Sequence, residues 1–174
     1  MKKLIITAMI IVLGIVAALS IKARRLENPL PANATADKIL VEKSKRRLTL
    51  LNKNTPLKTY EISLGREPVE KKTEEGDGRT PEGIYSIDRR KLNSKYHRAL
   101  HVSYPSAIDV AQAKAKGVSP GGDIMIHGLP NGIGFIGNLH TKRDWTLGCI
   151  AVTNSEIEEI WRAVPDGATV EILH

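Results

Sequence analysis

From Lys38 to Gly65 the chain reads "KILVEKSKRRLTLLNKNTPLKTYEISLG", and no other stretch limits the possible folds so strongly. Apolar and polar residues alternate in runs at 38–43, 46–51 and 57–64, separated by turn residues at Ser44-Lys45 and around Asn52 to Pro56. A period of two sends alternate side chains to opposite faces, and such short spacings join neighbouring runs as antiparallel hairpins. The chain therefore enters its folded domain as a meander of strands.

The rest of the domain keeps that character. Residues 65–83, "GREPVEKKTEEGDGRTPEG", carry the charge, glycine and proline of an exposed loop. Strand-like runs follow in "IYSID", "RALHVSYP", "DIMIHG", "CIAV" and "ATVEIL". Two helices interrupt them. "SAIDVAQAKAKG" starts on Ser106 with Asp109 three residues on and stops at Gly117; "TNSEIEEIWRAV" has an S/T-x-x-E start at Thr153 or Ser155 and ends before Pro165-Asp166-Gly167. This order predicts a mainly β fold, a β-dominated α+β domain built around a barrel or sandwich with short helices.

Ahead of the domain lies an uncharged apolar run from Leu4 to Ile21, preceded by Lys2 and Lys3. At about 18 residues it reaches the lower limit for crossing a bilayer, and it is longer than the roughly 7 to 15 residues of a signal-peptide core. Residues 1–22 are expected to be an N-terminal transmembrane signal-anchor, with a cleaved signal peptide as the alternative. Residues 23–36 read as a linker and 37–174 as one domain, large enough to bury a core without disulfides. Either form of the leader implies export, to the periplasmic or cell-envelope face, with the membrane as a partner through residues 4–21. The net charge of +7 suits anionic wall polymers or lipid head groups. Nucleic acid is excluded as a partner, since there is no basic helix, zinc-finger spacing or aromatic-basic strand motif.

The single cysteine, Cys149, has no partner for an internal disulfide, so it is either a small apolar residue or a thiol with a task. Alternation places Ile124 and Ile126 in the core with Met125 and His127 on the opposite face; likewise Ile150 and Val152 face the core while Cys149 and Ala151 face away. If these two strands are neighbours, thiol and imidazole share one surface. His127 can then take the thiol proton, and a paired histidine is expected to lower the thiol pKa. Backbone N–H groups at Gly148 and Cys149 are placed to stabilise an oxyanion. His127 reads equally as a structural histidine, and His140, nine residues before Cys149, competes with it as base.

A zinc site would draw on Cys149, His127, His140 and Asp123. The chain has neither paired C-x-x-C nor H-E-x-x-H, so no metal is expected. "GIGFIG" at 132–137 matches G-x-G-x-x-G formally, but no strand leads directly into it and no helix follows. It reads as a loop shaping a groove, not as a nucleotide site.

"DIMIHG", a glycine-rich loop and then "TLGCIAVTN" together resemble the signature of the L,D-transpeptidase catalytic domain, the YkuD-type domain. The opening hairpins and "GRTPEGIYSI" are similar to upstream parts of that domain, so the likeness runs over roughly residues 38–173. Two departures stand out: Leu147 lies between Thr146 and Gly148, where many members carry histidine, and the stretch from His127 to Thr146 is a few residues longer than usual.

The resemblance implies a β-rich enzyme acting on peptidoglycan stem peptides. It implies that Cys149 attacks the carbonyl joining diaminopimelate to D-alanine, with His127 as base and then acid. It also implies that the Gly128 carbonyl orients the imidazole, and it implies no other cofactor. An amine then resolves the thioester: another stem, or a lysine of a wall-anchored lipoprotein, while water would give hydrolysis. Arg143, Thr146, Trp145 and His140 are the candidate substrate-binding residues, Trp145 as groove wall or as core. The alternatives are a hydrolytic L,D-carboxypeptidase or amidase and, from another class, a non-catalytic wall-binding module.

Overall fold

The alternating runs become strands where expected. The computed structural model describes residues 29–174, so the expectations for residues 1–22, and the first part of the linker, lie outside the described residues. Eight strands form: β1 (Lys38–Glu42), β2 (Arg47–Asn52), β3 (Thr55–Glu61), β4 (Gly83–Ser94), β5 (His97–Val102), β6 (Met125–His127), β7 (Ile150–Ala151) and β8 (Thr169–Leu173). Helix α1 spans Ala107–Ala115 and α2 spans Asn154–Ala163.

The strands are ordered β3-β2-β1-β8-β4-β5-β6-β7. The first two hairpins are antiparallel, and the C-terminal β8 runs parallel to β1 and antiparallel to β4. The two ends of this order meet. Just past β3, Ser63 exchanges both backbone hydrogen bonds with Ala151 of β7 at 2.9–3.0 Å, and Gly65 bridges to Thr146. Of barrel and sandwich, the chain adopts the barrel-like closure, and the closing residues lie beside Cys149.

β4 is twelve residues long and changes partner along its length. Gly83–Ser86 pair with β8, whereas Ile87–Ser94 pair with β5 across two bulges. The sequence showed only "IYSID" as strand because "RRKLNS" has no apolar alternation. That half is held by its hairpin ladder and carries exposed side chains out to the β4–β5 turn.

Ile39, Leu48, Leu50, Ile62, Ile87, Leu100, Ile126 and Ile150 form the centre of the core, all fully buried. Both helices begin as expected: the Ser106 and Thr153 side chains cap Asp109 and Glu156, which reach back to the cap N–H groups. Ile157, Ile160 and Ala163 seal the inner face of α2. Lys43 is the unusual member of the interior. Its ammonium is withdrawn from solvent and compensated by Glu82 at 2.7 Å and the Glu70 carbonyl at 3.0 Å, which ties the 65–82 loop to the β1–β2 turn.

Candidate active site

β6 and β7 are parallel neighbours, with Ile126 opposite Ile150 and His127 opposite Ala151. Cys149, one step before β7, therefore projects to the same side as His127. Thiol and imidazole line the same two cavities. The expectation of an open second face needs correction, however. Met125, His127 and Ala151 are all buried, because the barrel closure, the 128–146 segment and Tyr96 cover that side of the strands. Only Cys149 at the strand end keeps partial access to solvent.

His127 is held from three directions. Its Nδ1–H donates to the Gly128 carbonyl at 2.6 Å, which leaves Nε2 as the free acceptor. Tyr96, from the β4–β5 turn, stacks on the imidazole with ring centroids 4.5 Å apart, and Trp145 meets it edge-on at 5.8 Å. Burial pushes the His127 pKa down to about 4, against the smaller opposite pull of the Gly128 carbonyl. The imidazole is thus neutral at physiological pH, as a base must be.

The thiol departs from expectation in the same way. Burial raises its pKa above the ordinary value, and the Asp123 carboxylate adds to that, against a backbone hydrogen bond from Met125. The resting pair is a neutral thiol beside a neutral imidazole, not the thiolate that pairing with histidine suggested, because the withdrawal from water disfavours both charged forms. The S–H donates to the Asp123 carbonyl at 3.6 Å. Asp123 adopts a left-handed backbone (φ 54°), and its side chain is held by Arg89 at 3.3 Å and lies 3.7 Å from His101. Asp123 was weighed in the sequence only as a zinc ligand; its backbone carbonyl is what meets the sulfur.

The loop before Cys149 is shaped by Thr146. Its hydroxyl donates to the Cys149 carbonyl at 2.7 Å and accepts from the Gly148 N–H at 3.1 Å. The Gly148 N–H is therefore committed within the loop, which corrects its expected oxyanion role. Gly148 has φ 128°, and a Cβ there would lie 2.5 Å from the Arg79 carbonyl. Only glycine permits this backbone at this distance.

A cavity of about 420 Å³ lies on the hairpin side of Cys149, with Lys91, Lys95 and Tyr96 in its wall. A second, of about 410 Å³, lies on the loop side with Arg66, Trp145, Thr146 and exposed Leu147. Trp145 is thus a groove wall. Arg143 and His140 line neither. Both border a separate apolar cavity beyond Trp145. His140 is buried, and the Ser63 hydroxyl donates to its carbonyl at 2.9 Å and accepts from its Nδ1 at 3.0 Å. The cations facing Cys149 are instead Arg66, Lys91 and Lys95, which the sequence did not single out because they come from a loop and from the β4–β5 hairpin, both distant in the chain. Among the described residues no cluster of His, Cys, Asp and Glu is arranged to hold a metal ion.

Residues 36–172 match the family described as the L,D-transpeptidase catalytic domain, YkuD. YafK of Escherichia coli (strain K12), provisionally named as an L,D-transpeptidase, is 32% identical over 110 residues, covering 62% of this chain and 37% of YafK. Among solved structures, the helical cell shape determining protein Pgp2 of Campylobacter jejuni is similar with a TM-score of 0.57 and 24% identity, over 86% of this chain and 52% of Pgp2. Bd1075 of Bdellovibrio bacteriovorus is similar with a TM-score of 0.55 and 24% identity, over 78% of this chain and 46% of Bd1075. The chain spans about half or less of the length of each of these proteins.

Proposed function

The chain belongs to the family of L,D-transpeptidase catalytic domains, and from that premise we propose that it is a cysteine acyltransferase of the cell wall. The family acts on peptidoglycan stem peptides. In the proposed reaction Cys149 attacks the carbonyl between diaminopimelate and the terminal D-alanine of a tetrapeptide stem. His127 Nε2 receives the thiol proton as the carbon–sulfur bond forms, then delivers it to the departing D-alanine nitrogen. A thioester remains, and an amine from a second stem or from a lipoprotein lysine displaces the thiol. The observation that carries this reading is that His127, fixed through Nδ1 with Nε2 free, shares both cavities with Cys149.

The neutral resting pair fits such a sequence, because charge develops only as the nucleophile attacks and the proton is then already within the site. With the Gly148 N–H committed, the Cys149 N–H is the remaining local candidate for oxyanion stabilisation. Cavities on both sides of the sulfur leave room for a donor strand and an incoming amine. The leader at residues 4–21 would tether the enzyme to the inner membrane, with the domain on the periplasmic face, and a role in cell shape, as in the name of Pgp2, is consistent with wall chemistry.

Product analysis tests the reading. Incubated with a disaccharide-tetrapeptide, the enzyme should release D-alanine, and an added amine acceptor should appear in amide linkage to the diaminopimelate carbonyl. If only the tripeptide forms at every acceptor concentration, the enzyme is the hydrolytic carboxypeptidase. Intact tetrapeptide beside retained wall binding would indicate the non-catalytic module.

A further inference from the structure

The "GIGFIG" stretch, which serves neither a nucleotide nor the reacting pair, becomes part of a 3-10 segment at Gly134–Lys142 that kinks at Gly137. Its tip is apolar and uncovered. Phe135, the sole phenylalanine of the chain, is 86% exposed, Leu139 68% and Ile133 41%. Ile133 and Leu139 line an apolar cavity of about 380 Å³, which they share with Ile136, Lys142 and Arg143. Between Gly128 and Arg143 the sequence contains no Asp or Glu, and neither cation forms an ion pair within the described residues. At its base the segment is rigid, with His140 bonded to Ser63 and Trp145 packed on His127.

An apolar tip edged by unpaired cations and free of acidic groups is complementary to a lipid interface carrying negative head groups.

We propose that residues 133–143 form a membrane-dipping loop that seats Phe135 and Leu139 in the acyl boundary of an anionic phospholipid surface, with Lys142 and Arg143 on the head groups. Since Trp145 walls both this cavity and the one holding Cys149, docking sets the catalytic groove at the lipid surface. The inference goes beyond the catalytic reading, and its test does not use activity.

The full chain is reconstituted with phosphatidylglycerol-rich vesicles and recovered by flotation. It carries Phe135→benzoylphenylalanine or, as control, Ile84→benzoylphenylalanine at a residue 72% exposed on β4. After illumination, phospholipid adducts are expected at position 135 and not at 84. The yield at 135 should fall roughly thirtyfold on neutral phosphatidylcholine, and equally with Lys142→Ser and Arg143→Ser combined, as two interfacial cations imply. Equal adducts at both positions, no lipid adduct at 135, failure of the chain to float, or crosslinking of 135 to a second copy would each overturn the proposal.

Discussion

Replacing His127 by glutamine is expected to lower kcat/KM on a tetrapeptide stem by roughly a thousandfold, because one group supplies both the base for the thiol and the acid for the leaving amine. The pH profile should identify the cause. In the wild type, burial holds the His127 pKa at about 4, so the neutral base is present throughout the physiological range and the acid limb should lie far below the usual histidine value. In His127→Gln the remaining activity should instead climb only at alkaline pH, as the thiol ionises without help. An unchanged acid limb in the variant, or retention of more than a tenth of the activity, would assign the proton transfers to another group.

The same burial has a cost in stability. Both His127 and His140 have folded pKa values near 4, below the ordinary 6.5. Below pH 6.5 the unfolded chain therefore binds protons that the folded domain does not. Stability is expected to decline from about pH 6.5 toward pH 4, which restricts acid-limb measurements to conditions where folding is checked alongside.

Gly148→Ala is expected to have the second largest effect. The added methyl meets the Arg79 carbonyl at 2.5 Å, from a backbone conformation that alanine adopts only under strain. Relief requires the loop to shift, and it can do so only by disturbing the Thr146 bonds that fix Gly148 and Cys149. The strain and the close contact together should cost about 2–5 kcal/mol of stability. A displacement of even 1 Å at the nucleophile should lower kcat by roughly a hundredfold or more. Parallel thermal unfolding and kinetics would check this. A variant with wild-type Tm and wild-type kcat would show that the loop geometry is not required.

The strands and both helix caps were legible because each depends on local periodicity or on capping residues three apart, whereas the choice of His127 over His140 beside Cys149 rested on the family resemblance. The limits of that reading have a common origin in contacts made across the chain. Ser63 closes the barrel against Ala151, eighty-eight residues later, and so converts the expected open face into a buried floor. That closure, with Tyr96 and Trp145, desolvates both reacting groups and reverses the expected shift of the thiol. Tyr96 lies in "LNSKYH", a polar turn in sequence, and its lone aromatic ring was the only hint that something covers His127. Thr146 was placed among substrate-binding residues by its proximity to Cys149, yet its hydroxyl is spent on the loop itself. Arg143, selected for its charge, borders the apolar cavity, while Arg66, Lys91 and Lys95 reach the site from segments whose approach no local pattern announces.

The central claim is that Cys149 carries the acyl group, and intact-mass spectrometry of the protein rapidly quenched during turnover of a disaccharide-tetrapeptide tests it most directly. The expected result is a covalent adduct equal to the substrate less D-alanine, located on the peptide containing Cys149 and absent from Cys149→Ala, which should also release no D-alanine. Release of D-alanine by a folded Cys149→Ala protein, or an adduct on any other residue, would contradict the account.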